Sequence, residues 1–180
     1  GSHNTAIGYD ALQDNTTGSN NTAVGYQTLD LNTTASANTA IGARSLHANT
    51  TGVRNVGVGN SALTANATGV DNVAIGYRAL DTQTDGDHNT AIGSYALDKN
   101  TADHNTAIGY QALEDNTTGS TNVAVGNYAL THNTTGSVNT AVGYRALDSN
   151  QTGTRNTAVG YKALEDTGNG NDNTAVGWQA

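Results

Sequence analysis

Cysteine, proline, methionine and phenylalanine are all absent from this 180-residue chain, tryptophan occurs once, and only 12% of residues are charged. Without cysteine there is no disulfide framework from which to read a compartment. Without proline, turns must come from other residues, and 22 glycines among abundant Asn and Thr are there to make them. The same composition argues against helix, since Gly and Asn are weak helix formers. No apolar run approaches the roughly 18 residues of a membrane span, so no membrane insertion of this segment is expected. A basic excess is also lacking. The formal net charge is −8, which leaves no basic stripe for nucleic acid and disfavours an anionic membrane surface.

What is present is one unit, repeated. "NTAIGYDALQDNTTGSN" (4–20) is followed by "NTAVGYQTLDLNTTASA" (21–37), and the pattern continues to the last residue. Copies open at Asn4, Asn21, Asn38, Asn55, Asn72, Asn89, Asn105, Asn122, Asn139, Asn156 and Asn173. Each step is 17 residues, as from Asn4 to Asn21, except the step of 16 from Asn89 to Asn105. Positions within a copy are numbered 1–17 from that Asn. Position 4 is always Ile or Val, position 5 always Gly, and position 9 always Leu where the copy reaches it. Position 3 is Ala except at Gly57. The array starts and stops on this frame without distinct caps, which reads as a piece of a longer fibrous protein. Gly1-Ser2-His3 fits either an expression scar or positions 15–17 of a preceding copy.

The period is too short for helix-pair or leucine-rich repeats and suits one coil of a β-solenoid. "TAIGY" reads as a short strand closed by Gly, and "AL" with the two following residues as a second strand before the "NTTG" turn. Stacking coils at about 4.8 Å makes an all-β rod roughly 50 Å long. Asn at positions 1 and 12 (Asn4, Asn21, Asn15, Asn32 and their counterparts) is expected to form turn ladders of stacked amides. Gly at position 5 (Gly8, Gly25) is expected where only Gly accepts the backbone angle. Position-4 Ile/Val and position-9 Leu, such as Ile7 and Leu12, are expected to fill a thin interior, leaving Ala and Gly as a smooth outer strip. Strand parity equally allows the opposite assignment, with Ile/Val at a subunit interface. An interior this thin predicts burial by self-association as well.

"NVAIGYRAL" (72–80), "NTAIGYQAL" (105–113) and "NVAVGNYAL" (122–130) resemble the "NSVAIG" repeat of YadA-like heads of trimeric autotransporter adhesins. Similar repeats occur in phage tail fibres. The resemblance covers nearly the whole chain. It implies a left-handed parallel β-roll, a parallel homotrimer, and an extracellular rod, on a bacterial surface or a virion, that presents contacts to a cell-surface or matrix receptor. This coil is longer than the usual adhesin coil, and one residue fewer separates Asn from Ala.

No constellation of catalytic type occurs, and the five His lack zinc-ligand spacing, so the chain reads as non-enzymatic and without a cofactor. Four candidate sites remain. Position 6 supplies an aromatic strip, Tyr9, Tyr26, Tyr77, Tyr110, Tyr144, Tyr161 and Trp178, suited to sugar rings or to packing. Where the strip lapses at Ser94 and Asn127, Tyr95 and Tyr128 follow one residue later. His88 and His104, each after an Asp, are the only candidates for a metal. The variable columns at positions 7, 10, 11, 16 and 17, with Asp10, Arg44, Arg78, Arg145, Lys162, Asp81, Glu114, Arg54 and Arg155, form the favoured polar contact surface. The Thr pairs at positions 13 and 14 suggest ice binding, but as adjacent residues interrupted in several copies. The Asn15-Thr16-Thr17 type of triplet also fits N-glycosylation. A receptor-binding rod, a non-binding spacer and an ice-binding solenoid are thus the functions left to separate.

Overall fold

A computed structural model describes residues 1–180 as eleven three-residue parallel strands, β1 (Thr5–Ile7) through β11 (Thr174–Val176), with no helix. They form one sheet in chain order, in which every strand pairs with the next in identical repeat register: Thr5 with Thr22, Ala6 with Ala23, Ile7 with Val24. The chain is therefore a β-solenoid, one coil per repeat.

Each coil has one strand rather than two. The expected second strand, at positions 8–11, is turn, and its backbone shows why. Residues at positions 7 and 9 adopt left-handed angles in every complete copy, including φ 53° at Leu80 and φ 55° at Arg78. Such angles are costly for residues with a Cβ. They are compensated because they aim backbone groups along the rod axis. Leu80 N–H donates to Ala96 O at 3.1 Å in the next coil, whereas Arg78 N–H donates to Asn60 O at 3.1 Å in the previous one. Of 114 backbone hydrogen bonds, 94 lie outside strand ladders, so the axial network runs around the whole coil.

The expected interior is corrected. Ile/Val at position 4 points outward, and the core consists of Ala at position 3, Ala at position 8 and Leu at position 9. Ile41, Ile75, Ile92 and Ile108 are 36–42% exposed even between neighbouring coils, while Ala40, Ala74, Ala91 and Ala107 are fully buried. Alternation along a three-residue strand sends only its central residue inward. That residue must be small because buried Asn side chains from positions 1 and 12 share the same lumen.

The two Asn columns work differently. Asn21 Nδ2 donates to Ala35 O at 2.8 Å, closing its own coil, and Asn21 Oδ1 accepts from Asn38 N–H at 3.0 Å in the next. Position 1 therefore bonds side chain to backbone. Position 12 forms the true amide ladder: Asn32 Nδ2 donates to Asn15 Oδ1 at 2.9 Å, and Asn49 Nδ2 to Asn32 Oδ1 at 3.1 Å. Among the buried atoms without a partner are Asn66 Oδ1 and Asn150 Oδ1. These are the two places where the next coil lacks Asn at position 12, having Gln83 and Thr167 instead.

Gly8 and its counterparts have φ near 136°, and a Cβ at Gly109 would lie 2.6 Å from Gly126 C and O. Angle and space both require glycine at position 5. The 16-residue coil is accommodated in its last turn. Asn100 and Asn89 both donate to Ala102 O, at 2.7 and 2.8 Å, so one residue is missing between position 13 and that carbonyl. The longer Gln83 bridges the site, its Oε1 accepting from Asn89 and Asn100.

Candidate functional site

The outer face of the sheet carries two columns. Position 2 is Thr or Val from Thr5 to Thr174, and position 4 is Ile or Val from Ile7 to Val176. Every outward strand residue is thus β-branched, the class that packs best on a pleated surface. The result is a β-branched strip as long as the rod, in which the position-4 row is apolar throughout and the position-2 row is Thr at eight of eleven sites.

Next to it stands the aromatic column. Tyr9 and Tyr26 stack at 5.7 Å, and the column then stops at Ala43 and Asn60. From Tyr77 it runs unbroken to Trp178. The predicted Tyr77, Tyr110, Tyr144, Tyr161 and Trp178 are joined by Tyr95 and Tyr128, which fill the two lapses from position 7. Left-handed backbone at Tyr95 and Tyr128, φ 61° in each, turns these rings back onto the column. Their contacts are edge-to-face, whereas Tyr144–Tyr161 and Tyr161–Trp178 are stacked at 5.4 and 4.1 Å. The one-residue shift was visible in the sequence, but its consequence depends on the backbone turn. Burial raises the Tyr95 hydroxyl pKa, with further upward contributions from Tyr77.

Positions 7 and 10 form a charged ridge around the corner. Arg78 Nε pairs with Asp81 Oδ2 at 2.9 Å, Arg145 Nη2 with Asp148 Oδ2 at 2.8 Å, and Lys162 Nζ with Glu165 Oε2 at 3.1 Å. This ridge is less open than a free contact surface, because Asp30, Asp98 and Asp148 are buried. Burial pushes the Asp98 carboxyl up to about 6, partly offset by Arg78 3.5 Å away. Burial and then Asp115 raise Glu114. Between Glu114 and Asp148 the acidic column lapses to Thr131, and an open groove of ≈ 370 Å³ lies there, with Tyr128 and Tyr144 in its wall.

Positions 16 and 17 are mostly structural. Asp87 Oδ1 accepts from Val70 N–H at 2.8 Å, and Asp103 Oδ1 from Asp87 N–H at 2.9 Å. Ser36 and Asn171 take the same role for Ser19 and Thr154, so position 16 supplies an axial acceptor in several coils, interrupted at Val53 and Val70. His88 and His104 stack at 5.0 Å, and His88 lies 3.7 Å from Asp71, whose carboxylate accepts from Arg54 Nε and Nη2, each at 2.7 Å. That hydrogen bond from Arg54 lowers the Asp71 pKa. No group of three metal-ligating side chains forms here or elsewhere.

No family model, curated protein or solved structure matches the chain. The surface itself must decide between the candidates. Two of them lose their chemistry. Thr16, Thr33, Thr50, Thr117 and Thr134 donate their hydroxyls to carbonyls of the next coil, which removes position 13 from an ice-facing array. The position-12 Asn amides of the glycosylation triplets are buried and hydrogen-bonded from Asn32 on, out of reach of a glycosyl donor. No helix is long and apolar enough to cross a membrane. The apolar strip, the aromatic column and the groove remain.

Proposed function

We propose that the chain is a rod segment of a homotrimeric extracellular fibre, a left-handed β-roll that extends and displays repeated contacts to a cell-surface partner. The observation that carries this reading is the outward position-4 column: isoleucines 36–42% exposed in interior coils, in line along the rod. Monomeric soluble proteins rarely expose contiguous apolar patches above a few hundred Å². Three copies laid side by side would remove the strip from water, and the resemblance of the repeat to YadA-like heads supports three rather than two. The polar ridge and the groove, around the corner from the strands, would stay in solvent. Repetition suits a partner that is itself repetitive, since weak contacts add through avidity. Sedimentation equilibrium tests the assembly: a species of three times the 18.3 kDa chain mass is expected, and a compact monomer at working concentration overturns it.

A second reading uses the same face. Parallel rows of outward β-branched residues, with Thr at eight of the eleven position-2 sites, form the regular array that the position-13 threonines fail to supply. On this reading the strip stays solvent-exposed in a monomer and binds ice. Thermal hysteresis beyond the colligative freezing depression, together with monomeric sedimentation, would select it over the trimer.

A further inference from the structure

The groove beside Thr131 has features that neither the rod nor its assembly uses. It arises where a column lapses. Position 10 is acidic at Asp81, Asp98, Glu114, Asp148 and Glu165, and the short Thr131 leaves a gap between Glu114 and Asp148. On one side the Tyr128 ring stands nearly perpendicular to both neighbours, 83° to Tyr110 and 85° to Tyr144, in edge-to-face pairs, and it lines the groove. At the base lies Asp148, whose side chain is 4% exposed. Its Oδ2 accepts from Arg145, but its Oδ1 has no hydrogen-bond partner. His132 Nδ1 donates to the Asp148 carbonyl oxygen at 3.1 Å and makes no hydrogen bond to Oδ1, although it lies 3.3 Å away and forms an ion pair with it when the imidazole is protonated. The His132 side chain is 54% exposed, which leaves it free to swing aside.

We propose that this groove binds a neutral pyranose, a C–H face of the sugar resting on Tyr128 and its hydroxyls donating to Glu114 and Asp148 Oδ1. The charges lining the groove select this class. An acidic sugar would meet two carboxylates, and a simple cation would meet Arg145, already paired with Asp148 and Glu165. A neutral polyol can donate to the carboxylates and accept from the guanidinium. An aromatic ring beside hydrogen-bonding groups is the general form of a site for a ligand with one apolar face and a polar rim. A buried acceptor left unpaired in the free protein favours a ligand that supplies the donor. The inference rests on the adhesive reading of the rod and gives it a ligand class.

The test is titration calorimetry on the full chain with methyl glucoside, methyl galactoside, methyl mannoside and N-acetylglucosamine, with sialic acid as the anionic control. Saturable binding of at least one neutral sugar, and none of sialic acid, is expected. Tyr128→Ala and Asp148→Asn should each weaken it about tenfold or more, equivalent to about 1.4 kcal/mol. Thr131→Gln, which fills the gap with a longer side chain, should abolish it without unfolding the rod, as read by thermal melting. Absence of saturable binding to any of these sugars overturns the proposal and favours a spacer. So does binding indifferent to Tyr128→Ala and Thr131→Gln. Sedimentation of the same samples separates this failure from failure of the trimer.

Discussion

The Ser45 hydroxyl occupies the space that a side chain at residue 57 would fill: Oγ donates to Gly57 O at 2.9 Å, and a Cβ built on Gly57 would lie 2.5 Å from it. Position 8 is usually Ala and is Ser here, whereas position 3 is otherwise always Ala and is Gly in the next coil. The two departures compensate each other across a coil boundary. Gly57→Ala alone should destabilise the rod by about 1–3 kcal/mol through overpacking. In a Ser45→Ala background the same change restores the repeat's own Ala pair and should be neutral or stabilising. A double-mutant cycle from denaturant melts should give a coupling of about 0.5–3 kcal/mol. Additive effects would mean the backbone absorbs the clash.

The amide ladder offers a gain and a loss. Asn150 Oδ1 is buried without a partner because Thr167 stands below it. Thr167→Asn places a donor there and should stabilise by about 0.5–1.5 kcal/mol. Within the ladder, Asn116 Nδ2 donates to Asn100 Oδ1 at 2.7 Å and Gly119 O at 2.8 Å. Asn116→Ala leaves these acceptors only their bonds from Asn105 Nδ2 and takes from Asn133 Nδ2 its acceptor in the ladder, and should cost about 1–3 kcal/mol. Urea unfolding of the two variants against the parent measures both.

Asp98 predicts a pH dependence of definite sign. Its folded pKa, about 6, lies well above the ordinary aspartate range, so the native state binds its proton more tightly. Its contribution to stability is fully present below the unfolded pKa and is lost as pH rises through about 6. Glu114 and Asp30, also raised, act in the same direction. Melting temperature should therefore rise as pH falls from 7 towards about 4.5, and Asp98→Asn should flatten that rise. Asp71 and Asp172, whose pKa values are lowered by Arg54 and Arg155, lose stabilisation only below the ordinary carboxylate range. An unchanged slope in Asp98→Asn would show that Asp98 titrates normally.

The apolar strip should respond to charge without affecting the coil. Ile92 and Ile108 are 36% and 38% exposed, and their side chains lie outside the lumen. A double Ile92→Lys, Ile108→Lys change should dissociate the assembly to chain mass in sedimentation velocity while circular dichroism stays that of the parent. If the parent assembles and the variant does so equally well, the interface lies on another face.

The repeat frame, the β class, the ladder residues and the glycine at position 5 were all legible before any coordinates, because a ladder imposes one chemical demand on every coil. Position 16 was less legible. Ser19, Asp87, Asp103 and Asn171 look variable as letters but share an acceptor oxygen that the preceding coil uses. Tyr95 and Tyr128 were visible as shifted aromatics, yet only the left-handed turn at position 7 shows that they complete the column. The groove could not be read in advance, since it depends on a short Thr131 lying between longer neighbours in adjacent coils.

The sequence by itself determined that identical residues would stack, since a 17-residue period places like on like along a parallel ladder. It did not determine which way the strand faces. Alternation puts Ala and Ile on opposite sides but does not say which side is inside. That choice follows from what shares the interior: Asn from positions 1 and 12, the position-8 residue and Leu from position 9 are buried there with a position-3 residue that is small in every coil, Ala or, at residue 57, Gly. Ile/Val is turned out as a consequence, and the surface on which the proposed function rests exists because the interior had no room for it.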